Sequence, residues 1–321
     1  MLARDAENLY WMGRYLERAE NNARLIINTT DTLLDLPEGA SLGWDSLLQI
    51  AGIDMQYKQH FGEANETDIM HFLIADERNF SSVFSCVKAA RENARTLRES
   101  LPEETWENIN SLYLYIVGNL KKATVDRRSK YLFLNEVITK RFVIIGAITS
   151  LMEYDQAYQF IKIGTNIERA DMVSRIIDLN FAVQLPEDSP MLEVTLQTLW
   201  MGILKTLSAL QIYRRIKAID VNKKDVIEFL YHEDRFPRSI SHCLGEIELA
   251  LASTPKKKQI LESVKLAKST LKLKNAQKID DVKLHEHIDI FQQYLGNIHH
   301  ALNTHYFRAY DDVNQAGAEV S

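Results

Sequence analysis

One segment of this chain occurs twice. Residues 9–26, LYWMGRYLERAENNARLI, align without a gap to residues 160–177, FIKIGTNIERADMVSRII. At this offset Gly13 meets Gly164, Glu17 meets Glu168, Arg18 meets Arg169, Ala19 meets Ala170, Glu20 meets Asp171 and Arg24 meets Arg175. In the first copy Leu9, Met12, Leu16, Ala19, Ala23, Ile26, Thr30 and Leu33 step by three and four residues, as one stripe of a helix must. Phe160, Ile163, Ile167, Ala170, Ser174, Ile177 and Phe181 do the same in the second. Each helix is expected to end at a proline in the same tripeptide, Leu36-Pro37-Glu38 and Leu185-Pro186-Glu187.

The echo runs on. Trp44, Leu47, Leu48 and Tyr57 correspond to Trp200, Ile203, Leu204 and Tyr213, and Phe72-Leu73, Arg78, Ser82 and Cys86 to Phe229-Leu230, Arg235, Ser239 and Cys243. Two halves follow, 1–150 and 151–321, each opening on the Glu-Arg helix. No Gly/Ser- or Pro-rich linker separates them. The expectation is therefore an all-α fold: a long-helix bundle of two pseudo-twofold-related halves, fused into one globular unit. Only 12 glycines and 6 prolines in 321 residues point the same way, since long helices need few turn-makers. Thr67 and Ser81 or Ser82 are candidate N-caps, and Pro102 and Pro255 open further helices. The β-branched run from Tyr131 to Met152 is long and free of turn signals, so it is assigned to a buried helix. The residues from Tyr310 onward are expected to fray.

Several function classes drop out. Neither GxGxxG nor GxxxxGK occurs, so the chain lacks a phosphate loop of its own. Two cysteines, Cys86 and Cys243, make neither a disulfide scaffold nor a CxxC metal site, and their apolar contexts mark them as buried hydrophobes. The N-terminus carries charges throughout and does not resemble a signal peptide, and the longest apolar stretch, Phe142–Met152, is too short to span a bilayer. These features point to a cytoplasmic chain with no membrane attachment. A net charge of −6 gives no reason to expect nucleic acid. Lys256–Lys278 holds eight lysines against one acid, Glu262, and reads either as a docking surface for an acidic partner or anionic ligand or, since no aromatics are interleaved, as a solvated helix face, the reading favoured here.

The candidate site is the Glu-Arg stripe. Gly13, Glu17, Glu20 and Arg24, and Gly164, Glu168, Asp171 and Arg175, each fall at i, i+4, i+7 and i+11, along one side of a helix. A duplicated helix glycine, which costs about 1 kcal/mol relative to alanine, suggests close backbone approach. In one view the two helices pack against each other through reciprocal Glu–Arg bridges. In another, Glu17, Glu20, Glu168 and Asp171 line a groove with Arg18 and Arg169 that holds an amino acid or peptide, or magnesium. A di-iron site would need Glu-x-x-His motifs, which are missing, so neither a metal nor a cofactor is assigned. The histidines of His285-Glu286-His287 and His299-His300 are assigned to surface or core. The duplicated loops Asp76-Glu77-Arg78 and Glu233-Asp234-Arg235, with Ser82 and Ser239, read either as helix caps or as a binding rim.

On LYWMGRYLERAE, the element at Trp44 and FLIADERNFSS, the chain resembles the bacterial alpha-E family, an all-helical domain with an ER motif. Glu17-Arg18 match that motif directly and Glu168-Arg169 repeat it, although Lys162 stands where the first copy has Trp11. The resemblance implies association with ATP-grasp ligases and transglutaminase-like proteins in peptide-forming or amide-ligating systems. It supplies no catalytic residue set. The expected role is a helical accessory partner of an ATP-grasp amidoligase. The alternatives are an enzyme of the same pathway that uses the four carboxylates, and a pure scaffold.

Overall fold

α1 (Ala3–Asp35) runs through the middle of the molecule, and its sequence explains why. Besides the apolar stripe, Tyr10, Gly13, Leu25 and the polar Glu17, Glu20, Asn21 and Asn22 are buried, so several sides of the helix face other helices. The computed structural model describes residues 1–36, 41–123, 125–178, 183–184, 192–217, 219–255, 257–271 and 281–308. It is all-α. The first seven helices are α1, α2 (Asp45–Ala51), α3 (Asp54–Lys58), α4 (Glu66–Ile74), α5 (Val83–Thr96), α6 (Glu103–Ala123) and α7 (Arg127–Leu151). They are followed by α8 (Gln156–Asp178), α9 (Leu192–Thr206), α10 (Leu210–Ile216), α11 (Lys223–His232), α12 (Ile240–Ala252), α13 (Lys257–Thr270) and α14 (Asp281–Leu302). A π-turn, Asn303–Phe307, closes the described chain. The one extended pairing among the described residues is a two-residue antiparallel ladder, Ser41 opposite Gln184 and Leu42 opposite Val183.

The most extensive helix–helix interface joins α1 to α8. Around it α1 packs on α5, α5 on α6, α6 on α7, and α7 back on α1; α8 likewise packs on α12, α12 on α13, α13 on α14, and α14 back on α8. A continuous apolar core runs through all of these helices. The glycines set how close the central pair comes. A Cβ on Gly13 would lie 2.5 Å from the Ile161 carbonyl oxygen, and one on Gly164 closer still to that of Tyr10. Only a residue without a side chain lets the backbones meet there.

Elsewhere the structure corrects the sequence in detail. Asn65, not Thr67, caps α4, accepting from the Asp68 N–H, because its extended backbone aims the side chain back at the first turn while Thr67 lies inside that turn. Ser82 rather than Ser81 caps α5, and Ser239 caps α12 in the same way. α7 is a helix as expected but not a buried one. Leu134, Val137, Ile144 and Ile148 turn inward, whereas Leu132, Phe142 and Val143 stay in solvent because α7 has neighbours on one side only. Leu33 is half-buried at the end of α1. In α13 Ile260, Val264 and Ala267 face the core and Lys257, Lys258 and Lys265 face water. α1 stops at Asp35, just ahead of Pro37; Pro37-Glu38, Phe181, Leu185-Pro186-Glu187, Lys256, Lys272–Lys278 and the terminal residues from Tyr310 lie outside the described residues.

Candidate functional site

The Glu-Arg residues meet across the α1–α8 seam. Glu17, with no exposed surface, accepts from Arg169 of α8 through Nε at 3.0 Å and Nη2 at 2.9 Å. Two further guanidinia close on it: Arg238, from the loop before α12, at 2.8 Å, and Arg141 of α7 at 3.3 Å. Burial alone would raise this carboxyl, but Arg169, Arg238 and Arg141 outweigh it and hold Glu17 far below the usual carboxylate range. Glu168 is clamped in turn by α1. Arg18 donates to it through Nε at 2.5 Å and Nη2 at 2.9 Å, and Arg14 through Nε at 2.9 Å. Against the raising effect of burial, Arg18 and Arg14 bring Glu168 down to about 2.

The two acids thus belong to separate clusters. Glu20 joins the Glu17 side, paired with Arg238 at 2.7 Å and, one turn along its own helix, with Arg24 at 2.8 Å. Asp171 pairs with Arg175 at 3.0 Å, one turn along α8. Each of the four carboxylates is already bonded to a guanidinium, and a cation at Glu17 or Glu168 would have to displace those groups. Among the described residues no group of three His, Cys, Asp or Glu side chains is arranged to hold a metal.

From Arg14 a further chain reaches α14. Its Nη1 donates to the Tyr10 hydroxyl at 3.2 Å, which lies 2.9 Å from His299 Nδ1. Burial, with Arg14 and His300 adding repulsion, lowers His299 to about 4. His285 instead pairs with Asp178 at 2.9 Å, and His287 lies beside the buried Tyr231 ring. Cys86 and Cys243 are both buried, their thiols pushed by burial up to about 12. The loop residues serve caps and local pairs. Ser82 and Ser239 bond the first turns of their helices, Arg78 closes on Asp76, and Arg235 closes on Glu233.

The profile of a family described as a predicted alpha-helical domain with a conserved ER motif, Alpha-E, matches residues 1–307. The chain belongs to the Alpha-E family. Among its relatives are uncharacterised proteins of Mycobacterium bovis and Mycobacterium tuberculosis, each 23% identical over 275 residues. The match covers 77% of this chain but 29% of each relative, so most of each relative is additional sequence. No solved structure matches the chain.

In this Alpha-E chain three of the clamping arginines, Arg14, Arg141 and Arg238, lie outside the sequence-derived stripe. Arg141 left a trace. It falls on the inward face of α7 in step with Leu134, Val137, Ile144 and Ile148, an apolar stripe with one guanidinium in it. Arg14 and Arg238 gave less, because their counterparts are Thr165 and Ser81 and the duplication does not mark them. Arg238 enters the cluster 221 residues along the chain from Glu17, beyond any helical period.

Proposed function

We propose that this protein is a non-catalytic helical partner of an ATP-grasp amidoligase, acting in the cytoplasm in a system that forms or modifies peptide bonds and includes transglutaminase-like proteins. The observation that carries this reading is the double clamp: Glu17 and Glu168 are buried, and guanidinia occupy both oxygens of each. A general acid or base works best with a pKa near the working pH, and Glu168 at about 2 is far from it. The motif then serves as the fastener between α1 and α8 rather than as a reaction centre. Support for a partner comes from the relatives, in which the homologous segment is a minor part of a longer chain. Among the described residues no helix is long and apolar enough to cross a membrane.

The test is reconstitution. The chain is purified with and without an ATP-grasp ligase from its own system, given ATP and a panel of amino acids, and followed by phosphate release and product mass. The expected result is no turnover by the chain alone, together with a stable complex that alters ligase output. Turnover by the isolated chain would contradict the reading.

A further inference from the structure

The two copies of the motif helix share their carboxylates and glycines but not their outer faces. In the second copy, Lys162 is bound by Glu246 of α12 at 2.5 Å, and Arg238 lies over Glu17 beside Arg169. That face is closed by the chain's own charges. In the first copy the corresponding positions are Trp11 for Lys162, Arg14 for Thr165, Tyr15 for Asn166 and Ser81 for Arg238. Trp11 and Tyr15 are partly exposed and stacked with ring centres 5.4 Å apart, and the Arg14 guanidinium sits 4.9 Å over Trp11. Arg18 reaches the Ser81 hydroxyl at 3.4 Å, and the preceding residue, Phe80, is 78% exposed.

Charge is left over on this face. Arg14 and Arg18 share the single carboxylate of Glu168, and among the described residues Arg14 directs Nη2 at no partner. Asp76 is held by Arg78, Glu77 by Lys88 and Asp171 by Arg175, while Glu7, one turn before Trp11, is bonded to neither Arg14 nor Arg18. A positive excess beside the partly exposed Trp11 and Tyr15 and the exposed Phe80 has the composition of an interface anchor, where desolvated aromatics supply contact area and arginines supply charge-assisted hydrogen bonds. We propose that the face formed by Trp11, Arg14, Tyr15, Arg18, Phe80 and Ser81 docks an acidic segment of a partner polypeptide, its carboxylates pairing with Arg14 and Arg18 and its apolar side chains covering Trp11 and Phe80. This deepens the accessory reading by naming the surface and the chemistry of what it binds.

The experiment uses the full chain and a fluorescein-labelled dodecapeptide of alternating Glu and Leu, followed by anisotropy, with a Gln-for-Glu peptide as control. Phe80→Ser leaves the Glu168 clamp untouched; Trp11→Ala removes the ring under Arg14 but none of the groups bonded to Glu168, and Trp11→Leu, which keeps an apolar side chain there, serves as its packing control, all three being checked by thermal melt. The proposal expects the Glu peptide alone to bind, more weakly as salt is raised, with Phe80→Ser and Trp11→Ala each weakening it at least about fivefold. Hydrogen exchange then slows in the first half of α1 and around Phe80. Absence of binding or equal binding of the Gln peptide would overturn the proposal. So would binding that survives both substitutions, or protection that falls on the lysine face of α13. Because no ligase is present, failure here is distinguishable from failure of the reconstitution.

Discussion

At the scale of single residues, the chemistry of this molecule is decided by how many cations each buried acid receives. A carboxylate taken out of water is costly unless it is paired and hydrogen-bonded. Glu168 meets that demand with two guanidinia and Glu17 with three. The pH dependence follows. Glu168 titrates near 2 when folded and near about 4.3 unfolded, so the unfolded chain binds more protons between those values. Its stabilisation is complete above that window and lost as pH falls through it. His299 acts in the same direction at milder acidity: folded at about 4 against about 6.5 unfolded, it costs stability as pH falls between the two. His285 has the opposite sign. Its bond to Asp178 raises its pKa, while burial raises that of Asp178, so the pair contributes only between ionisation of Asp178 and loss of the His285 proton, and fades as pH rises. A thermal-melt series across pH is expected to show His299→Phe flattening the slope between about pH 6.5 and 4.

The fold is legible in sequence wherever one element carries its own signal. The duplicated glycines predict close approach, and the α1–α8 seam has it. Capping is legible in kind but ambiguous by a residue or two, since neighbouring Ser, Thr and Asn compete and only backbone conformation decides between Asn65 and Thr67 or between Ser82 and Ser81. The exposed side of α7 was not legible, because a β-branched run gives length and helicity but not how many neighbours the helix has. Arg238 was beyond reach for a related reason: periodicity reports neighbours within a helix, and this contact is made by folding. The seam argument predicts a sharp contrast between glycines. Gly13→Ala places a methyl group against the Ile161 carbonyl and is expected to cost at least about 1–3 kcal/mol by overpacking. Gly118→Ala in α6, where nothing lies within 4 Å of the added carbon, is expected to be neutral or to stabilise by about 0.5–1 kcal/mol. Denaturant midpoints for the two variants check this directly.

For the molecule as a whole, the charge pattern separates what holds the helices together from what faces a partner. The chain carries a net −6, yet guanidinia outnumber carboxylates around the α1–α8 seam, and beside Trp11 two of them share one carboxylate. The seam itself is the central claim. If Glu17 is a fastener, replacing it leaves Arg141, Arg169 and Arg238 without their common counter-charge, and breaking a buried pair this way costs about 3–5 kcal/mol. The decisive measurement is equilibrium unfolding of Glu17→Gln by urea, followed by helical circular dichroism. A midpoint lowered by an amount equivalent to about 3–5 kcal/mol is the predicted result. A variant that unfolds at the wild-type midpoint would contradict it, because Glu17 would then be free for some other use.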